Sequence, residues 1–328
     1  MNWRSRIFRG RPEAARASAT EPPVSQVQPV PSAAPVGPAV IETLADLDVA
    51  LRKLDAAAAI SDDELRRAFE TFSMRFPLEL PADPDSPEYR AKQFELYEWL
   101  HGKPYSIANE VSGFDPVQAA DAPFPYHTKS AQTVGNQLIA IGYLIRALDL
   151  PAGSRVLEFG PGWGNTTIAL ARMGCHVTAV DIEPNFLKLI DERARRKHAT
   201  VETILGDFSL IAQLDRQFDA VLFFESFHHC SDHQALVAGL HRVVAPGGKV
   251  VFAGEPIDDG FSMPWGLRLD GGSLWSIRRH GWLELGFQEG YFRGLLARYG
   301  WEVEKSTCRE LSGAVTGWGI VFTARRAS

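Results

Sequence analysis

From Ser154 onward, short apolar runs alternate with segments whose apolar residues recur every three or four positions. A short apolar run bounded by turn residues reads as a buried strand, and the three-or-four recurrence reads as an amphipathic helix. The pattern predicts strands over Arg155 to Phe159, His176 to Val180, Val201 to Leu205, Ala220 to Phe224 and Lys249 to Ala253. Helices fit between them at Thr166 to Met173, Asn185 to Arg195, Phe208 to Gln213 and Gln234 to Val244. Such alternation requires right-handed crossovers and a parallel sheet covered on both faces. A helix over Glu284 to Tyr299 then precedes two strands, Trp301 to Ser306 and Gly319 to Thr323, close enough in sequence to pair antiparallel. The expected fold class is therefore α/β, a doubly wound and mostly parallel sheet with an antiparallel C-terminal strand.

Ahead of this alternation the pattern is helical. Ile41, Leu44, Leu47, Leu51 and Leu54 share one face, and Ser61 with Glu64 forms a capping-box signature before Leu65, Phe69 and Phe72. Ser86-Pro87-Glu88 opens a third helix with Phe94, Tyr97 and Leu100 inward. These segments predict a small N-terminal helical cap over residues 40–125, serving as a packing appendage or as a lid. A bridge rich in aromatic and polar residues follows, from Lys103 to Glu110 and again from Pro123 to Lys129, and leads into an amphipathic helix marked by Val134, Leu138, Ile141, Leu144, Ile145 and Leu148. Residues 1–39 carry arginines and then a Pro/Ala-rich tract that cannot bury enough apolar surface to offset its ordering entropy, so they read as a disordered tail. The third division, residues 126–328, holds the sheet.

The stretch with the most chemical content is Val156 to Asn165, an apolar strand ending in Glu158 and followed by Gly160, Pro161, Gly162 and Gly164. Glycines at a strand-to-helix corner let the backbone approach a ligand closely. Their spacing is G-x-G-x-G, not the G-x-G-x-x-G of dinucleotide binders, and the Glu158 carboxylate would repel a pyrophosphate and attract an ammonium or sulfonium. Asp181 ends the second strand 21 residues beyond Gly160, where a ribose-binding acid belongs. Gly206-Asp207-Phe208, the run Phe218 to Glu225, and Ala245-Pro246-Gly247-Gly248-Lys249 follow in series. From Tyr126 to the C-terminus this series resembles the class I S-adenosylmethionine-dependent methyltransferases. The resemblance implies a Rossmann-like domain over residues 126–328 and S-adenosyl-L-methionine as cofactor. It further implies that Glu158, Gly160, Pro161, Gly162 and Gly164 face the methionine and sulfonium end, that Asp181 holds the ribose, that Ile182, Asp207 and Phe208 hold the adenine, and that Glu225 also binds the cofactor.

Composition narrows the partners. A net charge of −6 lacks the basic footprint of a nucleic-acid binder. The fourth motif also reads Glu225-Ser226-Phe227-His228 where base and glutamine-amide methylating enzymes carry an acid or amide, two prolines and an aromatic. A small-molecule or glycan acceptor is expected, methylated most simply at oxygen. The alternatives are carbon or nitrogen methylation of a natural product, quinone or lipid, or a methyltransferase-like binding subunit. Three scattered cysteines suggest neither a disulfide framework nor a zinc site, and no apolar run is long enough to span a membrane, so a cytoplasmic location is expected.

An oxygen acceptor must lose a proton, and His228 and His229, just past the fourth strand, are the candidate catalytic residues. No metal site is expected, because the pair has no third ligand at a recognisable spacing. The long connection from Glu255 to Gly281 reads as a loop with Trp265, Trp275, Arg278 and Arg279, either a substrate loop or a packing or homodimer surface. Together with Tyr105, Tyr126 and His127 it is expected to roof the donor methyl group.

Overall fold

The computed structural model describes residues 38–76, 79–111, 113–311 and 317–327, so the tail predicted over residues 1–39 falls outside the described residues up to position 37. The N-terminal segment contains strand β1 (Ala39–Ile41), helices α1 (Leu44–Ala58) and α2 (Asp62–Phe69), strand β2 (Phe72–Met74), helix α3 (Pro87–His101) and a single turn α4 (Pro116–Ala119). Each predicted cap is in place. The Ser61 hydroxyl accepts the Glu64 amide at 3.1 Å, and Ser86 caps α3 with Pro87 in its first turn. Leu47, Leu51 and Leu54 form the buried face of α1. The two short strands were not expected; they pair in parallel through Ala39 with Phe72 and Ile41 with Met74.

Helix α5 (Ala131–Leu148) leads into β3 (Arg155–Phe159), α6 (Asn165–Arg172), β4 (His176–Asp181), α7 (Pro184–Lys197), β5 (Val201–Leu205), β6 (Phe218–Phe224), α8 (His233–Val243) and β7 (Val244–Ala253). Next come β8 (Trp265–Leu267), α9 (Gly271–His280), β9 (Leu285–Phe287), α10 (Glu289–Arg298), β10 (Trp301–Thr307) and β11 (Ile320–Arg326). The main sheet runs β10-β11-β7-β6-β3-β4-β5. Strands β3 to β7 are mutually parallel, and β11 lies antiparallel to both β7 and β10. Strand order reverses between β3 and β6, and an open α/β sheet forms its ligand crevice at the carboxyl ends beside such a reversal.

Three expectations change. The segment Phe208–Ala212 is a 3-10 turn, and the predicted helix from Glu284 is strand β9 followed by α10 starting at Glu289. The predicted long loop also has its own structure, since β8 pairs antiparallel with β9 and α9 lies against the N-terminal helices. Its polar side chains point to the cap: Trp275 donates to Asp55, Arg279 pairs with Asp55, and Arg278 donates to the Leu100 carbonyl at 2.9 Å and pairs with Asp48. Tyr89 and Gln93 of α3 bond in turn to the backbone of Trp265 and Leu267. One apolar cluster runs from Leu47 and Tyr97 of the cap through Leu274 and Phe287 to Phe227 and Phe252 of the sheet region, and the described residues form one compact unit. The cap is therefore built into the core through β8, α9 and β9. Replacing Arg278 with alanine should lower unfolding free energy by about 1 to 2 kcal/mol, as for a half-buried charged hydrogen-bond donor, while S-adenosylhomocysteine affinity stays within about 0.5 kcal/mol of wild type. Thermal denaturation and calorimetry on the same preparation would check both.

Candidate active site

The corner after β3 is made by three left-handed glycines, Gly160 at φ +62°, Gly162 at +51° and Gly164 at +70°. Each is glycine for a different reason. A Cβ on Gly160 would lie 2.6 Å from the Ser226 Cβ, because the ends of β3 and β6 converge there and the Ser226 hydroxyl donates to the Phe159 carbonyl. A Cβ on Gly164 would meet Ile190 of α7 at 2.5 Å, whereas one on Gly162 would meet nothing within 4 Å. Gly162 borders a cavity of about 410 Å³ that opens on the carboxyl edge of the sheet.

Most of the cofactor candidates surround that cavity: Gly160, Gly162, Asp181, Ile182, Asp207, Phe208 and Glu225 all line it. Glu158, Pro161 and Gly164 do not. Glu158 is turned behind the glycine corner, where its carboxylate accepts the Thr167 hydroxyl at 2.6 Å, and burial pushes its pKa up to about 7. Asp181 accepts the amides of Gly162 at 3.1 Å and Glu183 at 2.9 Å. A carboxylate has about four acceptor positions, so two remain for ligand hydroxyls. Burial, partly offset by those amides, raises Asp181 to about 6, and burial raises Glu225 to about 7. Glu225 also has a left-handed backbone, φ +53°, a strained conformation for a residue with a side chain and one that recurs where a side chain must be aimed.

A group bearing an ammonium, a sulfonium, a ribose and a flat base fits this surface. The open volume at Gly162 lets its backbone pass, Asp181 and Glu225 supply negative charge, and Ile182 and Phe208 supply an apolar wall. A cation also relieves what burial does to both carboxylates, favouring their charged forms.

The family model described as "Methyltransferase domain" matches residues 157–252, the stretch from β3 to β7. Over that stretch the chain carries a methyltransferase domain, S-adenosylmethionine-dependent. Its curated relatives include a ubiquinone biosynthesis O-methyltransferase of Xanthomonas oryzae pv. oryzae, 33% identical over 118 residues, covering 34% of this chain and 47% of the relative. A demethylmenaquinone methyltransferase of Tropheryma whipplei is 34% identical over 107 residues, covering 32% and 44%. The chain thus spans about half the length of the curated relatives it matches. Among solved structures, the 1,6-didemethyltoxoflavin-N1-methyltransferase of Burkholderia thailandensis superposes with a TM-score of 0.44 at 22% identity, over 65% of this chain and 88% of that one.

Past the cofactor candidates, the cavity continues along the cap bridge and the segment after α9, where Tyr105, Ile107, Glu110, His229 and Trp282 line it. Tyr105 was expected there. Tyr126, His127, Trp275 and Arg278 were expected to roof it and do not line it: His127 packs at a tilt against Trp163 and Phe124, and Trp275 and Arg278 bond to the cap. The two candidate histidines lie together, ring centres 4.1 Å apart, but only His229 lines the cavity. His228 sits behind it with its Nδ1 2.8 Å from Glu255 and its Nε2 3.7 Å from Glu284. Glu255 also accepts the amides of Ser226, Phe227 and His228, which fixes the turn after β6. Burial pushes its pKa up, but His228 and these amides outweigh that, and the carboxylate is held below its ordinary range.

Sequence reading passed over Trp282, Glu255 and Glu284 as site residues. For Glu255 a signal was present, since it follows the carboxyl end of β7 by two residues. Glu284 reads as the start of a helix, and Trp282 falls between that helix and the long connection. Among the described residues no helix is long and apolar enough to cross a membrane, and all three cysteines are buried and unpaired.

Proposed function

We propose that the protein transfers the methyl group of S-adenosylmethionine to a hydroxyl oxygen of a small, flat, quinone-type acceptor. The observation that carries this reading is the single cavity bounded both by Gly162, Asp181 and Glu225 and by the aromatic side chains of Tyr105 and Trp282. Two relatives are named for quinone chemistry and one of them for an oxygen acceptor, which favours a quinol over a glycan. When bound, S-adenosylmethionine supplies an activated methyl group whose carbon–sulfur bond breaks as the carbon–oxygen bond forms, so no covalent enzyme intermediate is required.

The residues of the chain then have the tasks of holding and orienting. Asp181 holds the ribose hydroxyls, Ile182, Asp207 and Phe208 hold the adenine, and Glu225 meets the cationic end. Gly162 provides clearance, while Glu158 adds negative charge from behind the glycine corner. Tyr105 and Trp282 wall the acceptor ring and exclude water. The acceptor's hydroxyl is presented to the imidazole side of the cavity, at His229 with His228 behind it, where its proton is shed.

Asp181→Ala should weaken S-adenosylhomocysteine binding by about 1.5 to 3 kcal/mol, the loss of hydrogen bonds to a charged acceptor, and unchanged affinity by calorimetry would reject the ribose assignment. The acceptor is tested by incubating the protein with methyl-labelled S-adenosylmethionine and a panel of quinols, phenols and oligosaccharides, then locating the label by mass spectrometry. Label on oligosaccharide alone, or on ring carbon, would replace the reading.

A further inference from the structure

We infer that His228, His229 and Glu284 form a binding site for one divalent transition-metal ion at the acceptor end of the cavity. One ring nitrogen of each histidine and one Glu284 oxygen lie within 4.8 Å of one another. Donors held at about 2.1 Å from a common ion sit about 3 to 4 Å apart, so a small inward movement of these side chains closes the set.

The hydrogen bonds around the imidazoles decide which atoms are available. His228 Nδ1 lies 2.8 Å from the Glu255 carboxylate, and His229 Nδ1 lies 2.7 Å from the Leu283 carbonyl. An ionised carboxylate and a carbonyl can only accept, so both imidazoles carry a proton on Nδ1 and a neutral ring keeps its lone pair on Nε2. A metal-ligating histidine has this arrangement, with the far nitrogen donating to a carboxylate or a carbonyl that fixes tautomer and ring orientation. Both partners lie outside the three proposed ligands.

Charge points the same way. Glu110, Glu255 and Glu284 surround the pair, with side chains 9%, 1% and 9% exposed. Among the described residues, the one guanidinium within 4 Å of any of them is that of Arg268, which lies 3.6 Å from Glu284 and closer, at 3.0 Å, to Asp270. Three buried carboxylates against one arginine leave an excess of negative charge that is costly without further cations. A divalent ion balances it, and two histidines with one carboxylate suit zinc, manganese or iron. Because His229 lines the cavity, the ion would lie beside the acceptor. There it would lower the pKa of a coordinated hydroxyl, which gives the proton loss of the proposed methyl transfer a physical cause. That consequence rests on the proposed function; the metal site itself does not.

The test uses the full chain without an affinity tag, stripped with chelator and titrated with Zn²⁺ in a calorimeter and with Co²⁺ in a spectrophotometer. One equivalent should bind, with Co²⁺ giving visible ligand-field bands. His229→Gln and Glu284→Gln should each weaken Zn²⁺ binding at least tenfold, and Glu255→Gln, which releases the His228 ring, should weaken it roughly tenfold. Circular dichroism shows whether each variant is folded, and His229→Gln, at the cavity surface, keeps the test open if the buried variants are not. Absence of stoichiometric binding, or binding indifferent to His229→Gln and Glu284→Gln, would overturn the site and leave the excess charge to protonated imidazoles. S-adenosylhomocysteine is titrated into the same metal-free protein. Its binding without metal binding defeats the metal site alone, and metal binding without it defeats the methyltransferase reading alone.

Discussion

Glu158→Gln is expected to stabilise the ligand-free protein at pH 8 and to weaken its hold on S-adenosylmethionine more than on S-adenosylhomocysteine. Glu158 is 1% exposed, and its carboxylate accepts the Thr167 hydroxyl at 2.6 Å and is bonded by the Thr166 side chain as well. Burial raises its pKa from an ordinary 4.5 to about 7. Between those values the folded protein keeps a proton that the unfolded chain has released, so stability falls as pH rises through the window, and above about 7 the full cost is present. The shift converts to a ceiling of roughly 3 kcal/mol, and about 2 kcal/mol is a reasonable expectation once relaxation of the site is allowed. Glutamine has the same shape, still accepts from Thr167 and carries no charge, so the advantage should appear at pH 8 and shrink to little near pH 4.5. The cost falls on the cofactor. S-adenosylmethionine carries a sulfonium charge that S-adenosylhomocysteine lacks, so removing a carboxylate behind the glycine corner should reduce the ratio of their affinities. Denaturant unfolding at the two pH values measures the first effect and calorimetry with both ligands the second. Equal stability of variant and wild type at pH 8 would show that Glu158 is solvated or paired in a way its burial does not suggest.

The contrast between the two halves of the chain shows what can be read from sequence. Strands β3, β4 and β6 are legible to within two residues, because a strand covered on both faces must be apolar throughout, and Val156, Leu157, Val221 and Leu222 leave no other reading, whereas β7 starts at Val244, five residues before the expected Lys249. Asp181 and the three glycines are legible for a related reason: the corner after the first strand of a doubly wound sheet admits few residue types. The stretch from Glu255 to Phe287 is not legible. Its strands β8 and β9 are three residues each, too short for a period to register. Gly271-Gly272 resembles a loop signal, yet it opens α9, and a Cβ on Gly271 would lie 2.4 Å from the Phe69 carbonyl oxygen. Those glycines permit close packing of a helix on the cap. With α9 misread, Trp275 and Arg278 were assigned to the acceptor when they fasten the cap, and Glu284 was assigned to a helix. Its approach to His228 depends on the β8–β9 pairing, a contact between segments that local pattern cannot connect.

Gly164→Ala and Gly162→Ala should fail in opposite ways, although the residues are two apart and both have left-handed backbones. At Gly164 the new Cβ would stand 2.5 Å from Ile190 Cγ1, an inner atom of a fully buried side chain that has no room to rotate away. Left-handed strain of about 1 to 2 kcal/mol and overpacking of about 1 to 3 kcal/mol combine there, giving an expected loss of stability of about 3 kcal/mol. Whatever fraction remains folded should bind S-adenosylhomocysteine with an affinity reduced only by that folded fraction. At Gly162 nothing lies within 4 Å of the added methyl group, so stability should fall by only about 1 kcal/mol of backbone strain. The same open space belongs to the cavity, and a methyl group there competes with the ligand for it, so S-adenosylhomocysteine affinity should drop at least tenfold, about 1.4 kcal/mol or more. Chemical denaturation paired with calorimetry on both variants separates the two predictions. A Gly162→Ala protein that binds S-adenosylhomocysteine like the wild type would mean that the ligand does not pass over this corner, and the cofactor would have to be placed elsewhere in the cavity.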